Sequence, residues 1–321
     1  MIDYLKVRGF NYQPSYGSTS FENWTYFNHE VIELELRRGK QYFPKMNTVR
    51  LWLSWDTYLR DPEKFCLYFN SMLNIVDMLE LKAIVILFNR WHDPACDCGG
   101  IYIDHFVPGW STVQNYDMFT PYVKDIVGNH KNDKRIIIWD ICNEPFSYRK
   151  QLGEMRDIAA AEFKWLQRMY LLCKDLNVIQ PVGIGLHPNH GNEGMEFVVP
   201  ISDIFMIHPY YGYEQDNYKE KEKFEKQLDD YVEISRKHGK PLLVTEACAG
   251  SLDDNWRVEN IRYTLTEFKK RNLGFVVHAL HYSRVSDLHG PEHGPVTDPG
   301  NLAFINVDGY LRKGHEIFNE F

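Results

Sequence analysis

Eight short apolar or β-branched runs, a regular alternation of these runs with amphipathic segments, and polar or aromatic residues gathered where the runs end together predict an α/β fold. The specific form is a closed (β/α)8 barrel of the TIM type, a single domain spanning residues 1–321. Parallel strands buried on both faces read as near-continuous hydrophobic runs, and these do. An open doubly wound sheet is the competing architecture. It would carry a glycine-rich phosphate turn after its first strand, and "RGFNYQPSYG" is not one.

In chain order the strands are read as "KVRGFNY", "NTVRLWLSW", "KAIVILFNR", "RIIIWDICNE", "PVGIGLH", "IFMIHPYY", "PLLVTEACAG" and "GFVVHALHYS". Between the second and third, Asp61 is placed to cap a helix with Pro62 at its first position, and Phe65, Phe69, Met72, Leu73 and Val76 recur on one face. Between the sixth and seventh, a helix is expected from about Lys221 to Lys237, with Phe224, Leu228, Tyr231 and Val232 at helical spacing and "HGKP" as its stop. Each strand is expected to lead into a crossover helix, the fifth being short.

Composition narrows the class of function. The chain is 44% hydrophobic and 25% charged, with no apolar run long enough for a membrane span. A formal charge of −8 and only short mixed runs such as Lys219 to Lys226 argue against a nucleic-acid surface. The six cysteines, at 66, 96, 98, 142, 173 and 248, have no disulfide-framework spacing and are expected as reduced thiols. "MIDYLKVRGFNY" has no basic region followed by an apolar stretch, so a cytoplasmic location is the expectation.

In a barrel, chemistry sits at the C-terminal ends of the strands. Those ends offer Asn11 and Tyr12, Arg50 and Trp52, Asn89 to His92, Asn143 and Glu144, His187, His208 with Tyr210 and Tyr211, Glu246, and His278 with His281. Two carboxylates stand out: Glu144 closes the fourth run and Glu246 the seventh, and these strands face each other across the mouth. A carboxylate at the end of an apolar strand is costly unless something uses it. Singly, each would be read as readily as a buried ion pair or a helix cap. Together they suit retaining glycoside hydrolysis, one as acid and then base, the other as nucleophile.

The motifs resemble those of the clan A retaining glycoside hydrolases, most closely the family-five cellulase- and mannanase-type group, over five strands and most of the chain. "WDICNEP" resembles the fourth-strand Asn-Glu-Pro, which makes Glu144 the implied general acid/base and Asn143 the implied donor to the sugar 2-hydroxyl. "LLVTEACAG" makes Glu246 the implied nucleophile, and "NTVRLWLSW" makes Arg50 the arginine that keeps it ionised and oriented. "MIHPYYG" resembles the sixth-strand His-x-Tyr, implying that His208 supports the acid/base and Tyr210 the nucleophile. The eighth strand departs from the pattern. The family usually places a tryptophan there as the floor of the −1 sugar site, and "GFVVHALHYS" offers His278, His281 and Tyr282 instead. The stacking platform is then sought at Trp52, Trp91 or Tyr211, with His92 and His281 as further sugar contacts.

Other features have plainer readings beside the sharper ones. His92, Cys96 and Cys98 fall short of a four-ligand set, so a rim loop is preferred to a metal centre and no metal or cofactor is expected. Residues 281–300 form a Gly/Pro/His-rich loop long enough to close part of the mouth. Trp24 and Tyr26 line the entrance or cover the wall. Cys142 and Cys248 are expected to pack away from the neighbouring glutamates. The function expected is hydrolysis of β-linked oligo- or polysaccharides, with carbohydrate as the partner and oligomeric state open. A transglycosylase shares the whole constellation, and a non-catalytic carbohydrate-binding barrel shares the groove.

Overall fold

A computed structural model describes residues 2–90, 101, 106–107, 116–146, 156–212, 221–284 and 302–321. Eight strands form one closed parallel barrel in sequence order: β1 Arg8–Tyr12, β2 Thr48–Trp52, β3 Lys82–Asn89, β4 Ile136–Asn143, β5 Val182–Leu186, β6 Ile204–Ile207, β7 Leu242–Val244 and β8 Phe275–Val277. Closure is made by β8 returning to β1, with Arg8 opposite Phe275, Gly9 opposite Val276 and Phe10 opposite Val277. Each strand lies within one of the eight predicted runs. The helices are α1 Ser20–Thr25, α2 His29–Tyr42, α3 Trp55–Arg60, α4 Pro62–Met78, α5 Thr120–Val123, α6 Arg156–Asp175, α7 Gly191–Val198, α8 Lys221–His238 and α9 Asp254–Lys270.

Local chemistry sets the helix ends. Asp61 Oδ1 accepts the Lys64 N–H at 3.0 Å and Pro62 opens α4, whose Phe65, Phe69, Met72, Leu73 and Val76 are all buried. The α8 helix buries Phe224, Leu228 and Tyr231, leaves Val232 half-buried, and stops before Gly239 at φ +61°. Two crossovers differ from a plain helix. The third ends in the four residues of α5 followed by a π turn at Lys124–Gly128. After β8, the helical element among the described residues is a 3-10 segment, His315–Glu320, whose Phe318 packs with Phe304 on Phe10 and Phe43.

The barrel interior has two storeys. The lower one is apolar, filled by Val7, Ile84, Ile138, Ile204, Met206, Leu243 and Val276. Two residues further along the strands, the inward positions turn polar: Ile138 gives way to Asp140, Met206 to His208, Leu243 to Thr245, and all three polar residues are buried. Period-two geometry thus lifts a polar layer onto a hydrophobic plug. The outer layer, between strands and helices, holds most of the core, including Trp139 and Trp165.

Cys142 and Cys248 are both free, fully buried thiols in that outer layer, and burial pushes the Cys142 thiol well above its usual range and Cys248 up to about 12. Strict alternation would have put Cys142 on the same side as Asp140. The β4–β5 register shifts between Asp140 and Asn143, and this irregularity turns Cys142 outward and Asn143 inward. Trp24 is a wall residue, 4% exposed, donating to the Trp52 carbonyl at 2.7 Å, whereas Tyr26 is 70% exposed. Among the described residues, no helix is long and apolar enough to cross a membrane.

Removing the α4 cap tests the local reading: Asp61→Ala should cost about 1 kcal/mol of stability. Chemical denaturation followed by circular dichroism measures it, with the denaturant slope unchanged.

Candidate active site

Arg50 stands on β2 in the polar storey, fully buried, and spends all five of its N–H donors. Nε and Nη2 donate to Asp140 Oδ2 at 3.2 and 2.8 Å, Nη1 donates to Asn11 Oδ1 at 3.1 Å and to Glu246 Oε1 at 2.5 Å, and Nη2 donates to Asn143 Oδ1 at 2.7 Å. Asn143 in turn donates to Asn89 Oδ1 at 3.1 Å, and Asn11 donates to the Thr245 and Val277 carbonyls. One guanidinium therefore links β1, β2, β4 and β7.

The two glutamates are buried, each 5% exposed, and a carboxylate oxygen of one lies within 4.8 Å of one of the other. Glu144 follows β4 with its backbone at φ +48°, while its N–H still pairs with the Gly185 carbonyl at 2.8 Å. The chain thus leaves the sheet at Glu144, one residue before Pro145, which has no N–H to give to a ladder. A left-handed non-glycine residue stores backbone strain, and such residues cluster at functional sites. Its Oε1 is 2.6 Å from His208 Nδ1, and His208 Nε2 is 3.1 Å from Thr245 Oγ1. Glu246 Oε2 accepts from the Tyr210 hydroxyl at 2.9 Å.

These surroundings pull the two acids apart. Burial and then the charge of Glu246 push the Glu144 carboxyl well above its ordinary value, against the pull of Arg50. Burial would also raise Glu246. That is outweighed by His208 where it is protonated, by His278 and by Arg50, which together hold it well below the usual carboxylate range. His208 is itself held well below its ordinary value by burial, so at neutral pH the ring is a neutral link and the permanent cation facing Glu246 is Arg50.

Of the residues singled out in the sequence, Glu144, Glu246, Arg50, Asn143, His208 and Tyr210 come together. Trp52 joins them, its ring under the Arg50 guanidinium at 4.9 Å and 6.0 Å from the His278 ring. His281 does not. Its Nε2 is 2.9 Å from Arg38 Nη1 and its Nδ1 is 3.8 Å from Glu35 Oε1, both on α2, because β8 ends at Val277 and the chain then passes outward over that helix. Tyr211 packs on Phe224 and Tyr263 in the wall. Trp91, His92, Cys96 and Cys98 lie outside the described residues, as does residues 285–300 of the loop after β8. Sequence reasoning passed over Asp140, Thr245 and Gly185. A Cβ on Gly185 would lie 2.9 Å from both Arg50 Nη2 and His208 Nε2 and 3.0 Å from Asp140 Oδ2. The signal for Asp140 was available: it is an acid inside the apolar run "IIIWDIC".

A family model for cellulase (glycosyl hydrolase family 5) matches residues 40–283. The chain belongs to that family. As a family 5 member it is a glycoside hydrolase built on a TIM barrel. No curated protein matches the sequence. Among solved structures, a subfamily 18 variant enzyme from Streptomyces cattleya in complex with Manβ1-4GlcNAc aligns with a TM-score of 0.74 and 13% identity, over 97% of this chain and 79% of that one. A subfamily 18 protein from Bifidobacterium longum subsp. infantis aligns with a TM-score of 0.73 and 17% identity, over 97% and 77%. The hyperthermostable endo-1,4-β-D-mannanase of Thermotoga petrophila RKU-1 aligns at 0.66 and 17%, covering 98% of both chains. At such identity the likeness speaks to the fold.

Gly185→Ala should keep the fold and lower kcat/KM by about 100-fold, because the added methyl displaces Arg50 and His208 together. Circular dichroism beside steady-state kinetics checks both halves.

Proposed function

We propose that the protein is a retaining β-glycosidase in which Glu246 attacks the anomeric carbon while Glu144 protonates the departing oxygen. The observation that carries this is the pair of buried carboxyl groups, oxygens within 4.8 Å, in opposed electrostatic surroundings. Retaining pairs are about 5 to 5.5 Å apart, whereas inverting pairs leave about 6.5 to 9.5 Å for a water. Glu246, ionised beside Arg50, has the charge a nucleophile needs. Glu144, kept protonated by burial and by the charge of Glu246, has the proton the leaving group needs. Once the glycosyl–enzyme ester forms, Glu246 no longer carries charge and Glu144 has lost its proton. Glu144 is then the base that deprotonates the incoming water, which releases the sugar with its configuration retained. Asn143, tied to Arg50, is the residue for the sugar 2-hydroxyl, and Trp52 with His278 borders the −1 position. The bond cleaved is a β-linkage in an oligo- or polysaccharide. Because the Streptomyces structure holds Manβ1-4GlcNAc and the Thermotoga enzyme is a mannanase, β-mannosides are the first substrates to try.

The experiment is a panel of aryl β-glycosides and β-linked oligosaccharides with wild type, Glu246→Gln and Glu144→Gln. Glu246→Gln should lose at least about 10⁴-fold on every substrate, with azide rescuing the corresponding alanine variant. Glu144→Gln should lose about 10²- to 10⁴-fold on substrates with poor leaving groups and far less on dinitrophenyl glycosides, which leave without a proton. Wild-type turnover by Glu246→Gln would sink the assignment.

The pH profile follows from the same pair. Activity needs Glu246 ionised, so it falls as pH drops through a value below the ordinary carboxylate range. It also needs Glu144 protonated, so it falls as pH rises through a value above that range. A kcat/KM profile on a glycoside whose leaving group needs the proton, such as a 4-nitrophenyl glycoside, should be bell-shaped for wild type and lose its alkaline limb in Glu144→Gln.

A further inference from the structure

His278 occupies the position just past β8, where an imidazole rather than an indole meets the nucleophile. Its backbone is pinned on both sides: its N–H donates to the Ala247 carbonyl at 3.0 Å, and its own carbonyl accepts from the buried Arg257 Nη2 at 3.0 Å. The ring is 9% exposed and flanked by Trp52. Its Nδ1 lies 3.2 Å from the Tyr210 hydroxyl and 3.5 Å from Glu246 Oε2, while Nε2 is buried with no hydrogen-bond partner among the described residues.

Proton counting fixes the tautomer. An ionised carboxylate only accepts, so the single Tyr210 hydroxyl proton goes to Glu246 Oε2. The hydroxyl oxygen can then only accept from the imidazole, which places the imidazole's proton on Nδ1. A second proton, on Nε2, would be a buried N–H with nothing to donate to, which is costly.

We propose that His278 is a positioning residue for the nucleophile, acting through Nδ1–H, which donates to the Tyr210 hydroxyl oxygen and so aims that hydroxyl's proton at Glu246 Oε2, 3.5 Å from Nδ1 itself, while Arg50 holds Oε1. This rests on Glu246 being the nucleophile. The two oxygens of that carboxyl are thereby fixed from different strands, Oε1 by Arg50 from β2 and Oε2 by the Tyr210 hydroxyl from beyond β6, itself held by His278 from beyond β8. The other titratable groups facing it are Glu144 and Asp140 from β4, His187 from β5 and His208 from β6. A donor to the charged form favours that form, so loss of Nδ1–H makes Glu246 easier to protonate.

The amide of asparagine mimics Nδ1 and that of glutamine mimics Nε2, which separates the two atoms. Expected is that His278→Asn keeps the wild-type acid limb of kcat/KM, while His278→Gln and His278→Phe move it up by about one pH unit. A two-bond ¹⁵N–¹H spectrum of histidine-labelled resting protein, with the His278 signals assigned by their loss in His278→Asn, should show the Nδ1–H tautomer. An Nε2–H tautomer, or an acid limb that is the same in all three variants, overturns the proposal. Treatment of wild type with 2,4-dinitrophenyl 2-deoxy-2-fluoro-β-D-mannoside or glucoside, followed by peptide mass analysis, checks the underlying reading on its own. A label away from Glu246 overturns both, whereas a label on Glu246 with an Nε2–H spectrum overturns the role of His278 alone.

Discussion

The contact on which the site depends is Arg50 to Glu246. A guanidinium taken out of water is expensive unless its hydrogen bonds and its charge are both satisfied. Here five donors meet Asn11, Asp140, Asn143 and Glu246, and two of those acceptors carry charge. Satisfying Arg50 fixes the positions of four strand ends at once. Glu246 is therefore located by the barrel, whose strands cannot move singly, and not by a loop.

The same arrangement decides the charge state of Glu144. One cation faces three buried carboxyl groups, those of Asp140, Glu144 and Glu246. Burial raises Asp140 despite its direct bonds to Arg50 and raises Glu144 further, since Glu144 has no bond to the guanidinium and feels the charge of Glu246. Adding a third negative charge to a single positive one in a low-dielectric interior is the costly step. The carboxyl furthest from Arg50's donors is the one that keeps its proton. Glu144 and Glu246 are thus given opposite charge states by a shared neighbour, with no difference in residue type required.

What the sequence made legible follows from what each position must do alone. Strands buried on both faces announce themselves as apolar runs, and a carboxylate at the end of such a run is conspicuous, so the barrel, Glu144, Glu246 and Arg50 could all be read in advance. Asp140 was visible as an acid inside an apolar run but not interpretable, because it looks like a packing exception until its partner is known, and that partner is 90 residues away in sequence. Gly185 was hidden because a glycine in a strand says only that something approaches closely. His281 was misplaced for a related reason. Two histidines three positions apart after β8 look equivalent on paper, yet the strand ends at Val277, so period-two reasoning stops there and only His278 stays at the mouth. Cys142 faces outward through a register shift that no residue type signals.

Glu144 is anchored differently from Glu246. Glu144 and Phe146 both take left-handed backbone conformations, and the segment between them turns away from the barrel axis. Beyond the turn, the Phe146 N–H donates to Glu162 Oε1 of α6 at 3.0 Å, and that oxygen also accepts from Arg90 Nε, just past β3, at 2.8 Å. Arg90 N–H donates in turn to the Asn143 carbonyl at 3.0 Å. A second buried ion pair, outside the barrel, thus closes a ring through β3, β4 and α6 and holds the strained turn that carries Glu144. Glu246 is fixed from within by Arg50, and Glu144 from without by Arg90 and Glu162. Strain at Glu144 can therefore persist without loosening Glu246, because the groups that oppose it bear on the other side of the sheet.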